Sequence, residues 1–128
     1  MCRAFLEASP VNAPYSETWQ RRTLNRLMVS EFGHVSVLGD GDSVAGMLLA
    51  AASESPIAPV LVSQEIALWI EPGRRGRGLQ DLLSHYRKWA ADLGVHYVGL
   101  STFYNPRTTR IFDRLGFQPV ETHFFAKG

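Results

Sequence analysis

The stretch EIALWIEPGRRGRGL, residues Glu65 to Leu79, decides the fold, because it joins a strand pattern to a glycine-spaced basic turn and the start of a helix. Residues alternate from Val62 to Ile70, which predicts a half-buried strand. The alternation places Glu65, Ala67 and Trp69 on one face and Val62, Ile66, Leu68 and Ile70 on the other. After the turn, large apolar residues recur at helical spacing to Leu93, and Gly94 follows as the expected left-handed C-terminal residue.

The turn has the chemistry of an anion-binding site. Gly76 and Gly78 have no Cβ, so successive N–H groups can point inward, and a helix that begins near Gly78 adds its first-turn amides and positive dipole end. Arg74, Arg75 and Arg77 add charge, and a planar guanidinium donates to phosphate in pairs. We therefore expect a phosphate here. A solubilising surface loop and a nucleic-acid-binding RG patch are alternatives that the turn alone leaves open.

Composition favours one small domain spanning residues 1–128. A chain of 128 residues, 45 % of them apolar, is long enough for one core and too short for two. The net charge of +1 argues against a general field for nucleic acid or membranes. With a single cysteine, no long apolar run and no signal-peptide profile, a cytoplasmic location is expected. The four histidines lack metal-ligand spacing, so no metal site is expected.

The rest of the chain predicts a mixed α/β fold. Helices are predicted over Cys2 to Ala8, over Glu17 to Phe32 with Ser16 as N-cap, and from Asn105 to Leu115. Strands are predicted over His34 to Leu38, Ser43 to Ala52, Val95 to Ser101 and Phe117 to Phe125, with a hairpin at Gly39 to Asp42. Only the crossovers through helices demand parallel neighbours, so a mixed sheet is expected.

These segments resemble the GNAT superfamily of acyl-CoA-dependent N-acetyltransferases. Its signature, L-x-V-x-P-x-x-R-G-x-G, is similar to Leu68, Ile70, Pro72, Arg75, Gly76 and Gly78. NPRTTRIFDRLGF, from Asn105 to Phe117, and SVAGMLL, from Ser43 to Leu49, are similar to two further family segments. The family often has Gln or Arg where this chain has Gly73. The PYS segment and short tail are most similar to small acetyltransferases often encoded in phages and prophages.

The resemblance implies a three-layer GNAT-like fold and acetyl-CoA as acyl donor. In the family, the strand before the turn and the strand after its helix diverge, and the pantetheine arm enters the gap. The pyrophosphate then meets the turn and the start of the helix. Carried over by position, the contacts to acetyl-CoA fall on Leu68, Trp69, Ile70, Arg74, Arg75, Gly76, Arg77, Gly78, Leu79, Gln80, Asn105 and Phe112.

Acyl transfer to an amine needs a base, a polarised carbonyl and a leaving thiolate. The resemblance makes Glu65 the candidate base, with an exposed strand-end glutamate as the alternative, and the N–H of Trp69 or Ile70 the candidate polariser. The usual tyrosine acid aligns with Phe112, which has no proton to give. Tyr104 or Ser101 is the candidate replacement, and a packed aromatic is the alternative interpretation of Tyr104.

The expected function is an N-acetyltransferase acting on a primary amine that the sequence does not identify. A non-catalytic acyl-CoA-binding or virion-associated module on the same fold is the alternative, and Phe112 favours it. Nucleic-acid binding is disfavoured by the near-zero net charge. The family usually begins with a strand, for which no residues remain before Cys2 to Ala8, so His34 to Leu38 is expected at an open sheet edge. Such an edge invites a second chain, and a homodimer is expected.

Overall fold

The computed structural model describes residues 1–10, 13–103 and 106–128. In chain order the elements are α1 (Cys2–Ala8), α2 (Glu17–Val29), β1 (Gly33–Asp40), β2 (Ser43–Glu54), β3 (Leu61–Ile70), a 3₁₀ turn (Pro72–Arg74), α3 (Arg77–Leu93), β4 (Tyr97–Gly99) and α4 (Pro106–Arg114). One sheet has the order β1-β2-β3-β4, antiparallel except for the parallel pair β3–β4. The predicted mixed α/β architecture is confirmed.

The sheet separates two apolar layers. On one face, residues of β2 and β3 pack against α3 and α4; this core contains Leu48, Ala50, Ile70, Leu82, Leu83, Tyr86 and Phe112. On the other face, β2 and β3 pack against α1 and α2; this core contains Leu27, Met47, Leu49 and Ala67, with Phe5 and Trp69 beside it. Helices therefore cover both faces, as the three-layer expectation requires.

The structure confirms the predicted N-cap of α2 and shortens that helix; the predicted cap Asn105 lies outside the described residues. Ser16 caps α2, its Oγ accepting from the N–H of Trp19 at 3.2 Å. The helix ends at Val29 rather than Phe32, because Ser30 adopts extended backbone angles and its Oγ accepts from the N–H of Phe32 at 3.1 Å. That local bond competes with a further helical turn. None of the described helices has the length and apolar character to cross a bilayer.

One predicted strand is shorter than expected, and another does not form. β4 covers only Tyr97–Gly99 instead of Val95 to Ser101, because the N–H of Val95 bonds to the carbonyl of Ala90 at 2.9 Å and completes the end of α3. No strand forms over Phe117 to Phe125. The N–H of Phe117 bonds to the carbonyl of Phe112 at 3.0 Å, and Phe124 is 91 % exposed. An alternating pattern becomes a strand only when a neighbouring strand supplies hydrogen-bond partners.

A bulge in β3 changes which residues face each helical layer. Leu49 of β2 pairs with Ala67, but the next residue, Ala50, pairs with Glu65, so Ile66 is an extra residue in β3. One inserted residue reverses the faces of the side chains that precede it. Glu65 therefore lies on the α3 side with Ala50, and the prediction that it shares a face with Ala67 was wrong.

Candidate functional site

The sheet opens between β3 and β4. The two strands pair at only three positions, ending with Gln64 opposite Gly99. β3 continues to Ile70, so among the described residues its edge beyond Gln64 has no strand partner on that side. The opening that begins at Gln64 and Gly99, bounded by the rest of β3, is called the gap below. Its position matches the divergence that the resemblance implies.

Main-chain groups of β3 point alternately into the gap and toward β2. The N–H of Glu71, which follows β3, bonds to the carbonyl of Ala45 in β2 at 2.8 Å. Because neighbouring residues alternate, Leu68 and Ile70 direct their main chain into the gap, whereas Trp69 directs its own toward β2. The carbonyl of Ile70 accordingly accepts from Arg75 Nε at 3.3 Å. The N–H of Ile70 thus stays a candidate to polarise the acyl carbonyl. The N–H of Trp69 is no longer a candidate, because Trp69 pairs with Met47 of β2.

A buried tyrosine fastens the two strands together at the last paired positions. The hydroxyl of Tyr86, on α3, donates to the carbonyl of Gly99 at 2.8 Å. Because that hydrogen is used, Ser63 Oγ donates to the Tyr86 oxygen at 3.0 Å. Burial raises the pKa of Tyr86 to about 12, and the nearby Glu65 carboxylate adds to the rise. The Tyr86 hydroxyl therefore stays protonated and acts as a fixed donor.

Glu65 lies immediately beyond that fastening. Its Oε2 accepts from both the N–H and the Oγ–H of Ser101, at 3.0 and 2.7 Å. The residue is only 5 % exposed, so it is not the exposed strand-end glutamate of the alternative interpretation. Burial raises the pKa of the Glu65 carboxyl, and the two hydrogen bonds from Ser101 oppose the rise without cancelling it. The result is a carboxylate at the narrow end of the gap with raised proton affinity.

The glycine turn lies at the other end of β3. Gly76 has φ 107° and ψ −109° and precedes α3 without a side-chain cap. The N–H groups of Leu79 and Gln80 bond to the Gly76 carbonyl at 3.1 and 3.4 Å, which leaves Arg77 and Gly78 as the first-turn amides without an acceptor in the helix. A Cβ built on Gly76 would meet no atom within 4 Å. The backbone there borders open space, at the positive end of a 17-residue helix.

The remaining turn residues have distinct surroundings. Arg74, Arg75 and Arg77 are exposed, and the Arg75 guanidinium lies 5.8 Å from the centre of the Trp69 ring. Gly78 has a packing reason for lacking a Cβ, because one built there would lie 2.6 Å from Leu38 Cδ1. The arginines thus surround the turn, while the position that a Cβ of Gly78 would occupy faces Leu38 of β1.

Phe112 does not line an open site. It is 7 % exposed within the core beside α3, and its ring lies 6.3 Å from that of Phe117. Trp69 packs on the opposite face near Phe5, and its Nε1 is buried without a partner among the described residues. Tyr104 and Asn105 lie outside the described residues. The described part of the chain contains no cluster of three or more potential metal ligands.

Sequence reasoning missed both polar links across the strands. Ser63, Tyr86 and Gly99 lie in three separate elements, and Glu65 and Ser101 are 36 residues apart. One signal was present for the first link, since a tyrosine on an otherwise aliphatic helix face usually finds a hydrogen-bond partner. A surface cavity of about 460 Å³ on the α1 side contains none of these residues; it is lined by Arg3, Leu6, Glu7, Ser9, Pro10, Ala13 and Tyr15.

Comparison with known proteins identifies the family. The Acetyltransferase (GNAT) family matches residues 2–117, and the chain belongs to that family. No curated protein matches the chain. The fold resembles glucosamine-6-phosphate N-acetyltransferase from Arabidopsis thaliana, with a TM-score of 0.77 and 9 % identity over 97 % of this chain and 86 % of that one.

Two further solved structures share the fold. AAC(6')-Iy in complex with the bisubstrate analogue CoA-S-monomethyl-acetylneamine has a TM-score of 0.74 and 15 % identity over 89 % of this chain and 81 % of that one. A transcriptional regulator from Bacillus halodurans C-125 has a TM-score of 0.71 and 18 % identity, covering 94 % and 89 %. At these identities the likeness shows the fold alone.

Proposed function

We propose that this protein is an N-acetyltransferase that transfers the acetyl group of acetyl-CoA to a primary amine. The observation that carries the proposal is the placement of a buried carboxylate, Glu65, at the narrow end of a gap whose far end meets the glycine turn. Two of the similar structures support an amine acceptor, since one is a glucosamine-6-phosphate N-acetyltransferase and the other holds a CoA–acetylneamine analogue.

The chain's residues fit acetyl-CoA. The amides of Arg77 and Gly78, the open approach beside Gly76 and the exposed arginines suit a pyrophosphate. The main chain of Leu68 and Ile70 suits an amide-containing arm. From Ile70 back to Glu65, β3 covers about 17 Å at about 3.3 Å per residue. When bound, acetyl-CoA supplies the activated acyl group.

Glu65 is the proposed base. Burial raises the pKa of the Glu65 carboxyl, which makes its carboxylate a better acceptor for the proton that the attacking neutral amine loses. Among the described residues both of its side-chain hydrogen bonds fall on Oε2, which leaves Oε1 to face the amine. Ile70 keeps the proposed role of carbonyl polariser. Tyr104 and Ser101 stay the two candidates to protonate the leaving sulfur, Asn105 keeps its proposed contact with the cofactor, and Phe112 contributes packing beneath the strands.

A second candidate function has its own support. Glu65 is already bound by Ser101 and Phe112 has no proton to give, which suits a non-catalytic acyl-CoA-binding or virion-associated module on the same fold. The proposed similarity to small phage-encoded members, from the PYS segment and short tail, is compatible with either function. The two functions share donor binding and differ only in turnover.

We extend the proposal to organisation and location. Residues 1–128 act as one domain in the cytoplasm, without a nucleic-acid or membrane partner. β1 lies at the edge of the described sheet and pairs only with β2 over eight residues. A homodimer that covers this edge is therefore proposed. Size-exclusion chromatography with light scattering tests it, and a monomer at all concentrations would contradict it.

The function itself is tested in two steps. Calorimetry with CoA asks whether the donor binds, and a thiol assay with acetyl-CoA and a panel of amino sugars, polyamines and peptides asks whether free CoA is released. Glu65→Gln keeps the size of the side chain and removes the base, so we expect kcat/KM for the amine to fall about 10²-fold or more with CoA affinity retained. Binding without turnover on any amine would favour the non-catalytic module, and absence of CoA binding would contradict both functions.

A further inference from the structure

The narrow end of the gap is closed by side chains rather than by backbone pairing. Beyond Gln64 and Gly99, the two chain segments are joined by two hydrogen bonds that the N–H and Oγ–H of Ser101 donate to Glu65 Oε2. Ser101 is exposed, whereas Glu65 is buried. The pair therefore has one member embedded in the protein and one accessible from the gap. This is the arrangement of a hydroxyl that can exchange a proton with a buried carboxyl group.

The reach of the donor brings its sulfur to this end. A phosphate held by the amides at the start of α3 fixes one end of the donor at the turn. An extended arm that follows β3 back from Ile70 spans about 17 Å before it arrives at Glu65. The strands are closed beyond that point by the Tyr86 fastening, so the arm ends beside Glu65 and Ser101. This placement rests on the proposed function.

We propose that Ser101 is the group that protonates the departing sulfur, and that Glu65 resupplies its proton. As the amine nitrogen attacks the acyl carbon, Glu65 Oε1 takes a proton from the nitrogen. The protonated Glu65 turns its carboxyl group so that its O–H donates to Ser101 Oγ, which frees the Ser101 hydrogen from Oε2. The carbon–sulfur bond then breaks with its electron pair on sulfur, the sulfur takes the Ser101 Oγ–H proton, and Ser101 Oγ takes the Glu65 proton. The products are an amide and free CoA thiol, with Glu65 again a carboxylate.

The neighbouring groups are unsuited to this task. Phe112, at the position where the family usually has tyrosine, has no ionisable hydrogen and lies in the core. The Tyr86 hydroxyl is fully buried, and its hydrogen is committed to the Gly99 carbonyl. Thr102 Oγ1, next in the chain, donates to the carbonyl of Phe103 at 3.0 Å and does not contact Glu65. Among the described residues, Ser101 alone joins an exposed hydroxyl to the buried carboxylate.

The first test measures the pKa of the bound CoA thiol and does not depend on turnover. The ultraviolet absorbance of thiolate, titrated with pH in the protein–CoA complex, gives the pKa of the bound thiol. A hydroxyl that donates to sulfur stabilises the thiolate, so Ser101→Ala should raise the thiol pKa while Ser101→Thr should leave it near the wild-type value. Thr102→Ala is the matched control: it removes the hydroxyl next in the chain, and the thiol pKa should stay at the wild-type value. Equal thiol pKa values in wild type and Ser101→Ala would overturn the proposal.

The second test measures the rate of the chemical step. In single-turnover acetyl transfer to an amine accepted by the wild type, Ser101→Ala should be slower by about 10²-fold, and Ser101→Thr should recover most of the rate. CoA affinity, measured by calorimetry, separates failure of the proposed function from failure of the role assigned to Ser101. Wild-type protein that fails to bind CoA contradicts the proposed function. A Ser101→Ala protein that binds CoA and reacts at the wild-type rate leaves the proposed function standing and overturns the role of Ser101.

Discussion

Leu38 of β1 and Gly78 of α3 are in such close contact that a Cβ added to Gly78 would lie 2.6 Å from Leu38 Cδ1. The same methyl group would lie 2.9 Å from a Cβ added to Gly46 of β2. Leu38 therefore fills a site made by two glycines, on the helix and on the neighbouring strand. This contact seats the start of α3 on the sheet, which in turn positions the glycine turn at the end of β3.

We expect Gly78→Ala to destabilise the protein by about 1 kcal/mol, because the added methyl displaces the end of the Leu38 side chain, which Gly46 confines on its other side. In a Leu38→Ala background the obstacle is gone. There the same change should be neutral or stabilising, since alanine is favoured over glycine in a helix by about 1 kcal/mol. Urea unfolding of the four proteins in this double-mutant cycle measures the coupling. Equal effects of Gly78→Ala in both backgrounds would contradict the packing explanation.

Local patterns predicted the helices and the turn, because their determinants are close in sequence. The leucines of α3 recur at helical spacing, and Gly94 ends the helix with φ 86° as predicted. Ser16 caps α2 by its own side chain. The strand before the turn was also predicted within one residue of its observed start, because alternation over nine residues is a strong local signal.

Features that depend on distant partners were not predictable in this way. The bulge at Ile66 arises from register with β2, and it moved Glu65 to the other face of the sheet. The pattern from Phe117 to Phe125 resembles a strand, yet no partner strand pairs with it. At the site, Glu65 was identified through the family resemblance, but its bond to Ser101 depends on where β3 and β4 separate.

Gly76→Val should weaken CoA binding by about tenfold or more. Gly76 has φ 107°, which a β-branched residue adopts only at a cost of about 1–3 kcal/mol, and the valine would occupy the open space beside the amides of the turn. Gly94→Val is the matched control, because Gly94 also has a positive φ and open surroundings but lies at the other end of α3. Calorimetry should show wild-type CoA affinity in Gly94→Val. Equal losses of affinity in both variants would indicate general distortion of α3.

Glu65→Gln should make the protein more stable at neutral pH, even as it removes the proposed base. Burial raises the folded-state pKa of Glu65 above its unfolded value, so its contribution to stability is greatest at acid pH and is lost as pH rises through the folded-state pKa. Glutamine does not ionise and can still accept from Ser101. We expect a melting temperature higher than wild type by a few degrees at pH 7, since 1 kcal/mol corresponds to roughly 4 °C in a domain of intermediate size. The difference should vanish near pH 4. A less stable variant at pH 7 would mean that the charged hydrogen bonds outweigh desolvation.

His34 should make the fold sensitive to mild acid. Its ring on β1 lies 5.2 Å from Trp89 and 5.8 Å from Tyr86, both on α3, and its Nε2 is 3.1 Å from Ser36 Oγ. Burial lowers the pKa of His34, and the nearby His85 on α3 lowers it further. The folded state therefore favours the neutral ring. Its contribution to stability is complete above the unfolded pKa of about 6.5 and is lost as pH falls from there through the folded-state value.

Replacing His34 with glutamine should flatten this acid limb, because the amide can still bond to Ser36 but cannot take up a proton. Thermal unfolding between pH 5 and pH 8 in about half-unit steps covers the window set by the unfolded pKa. His123→Gln is the matched control, since His123 is exposed and its ion pair with Glu121 lies on the surface. We expect the control to keep the wild-type pH dependence. A His34→Gln protein whose stability falls as steeply as wild type below pH 6.5 would assign the acid sensitivity to other groups.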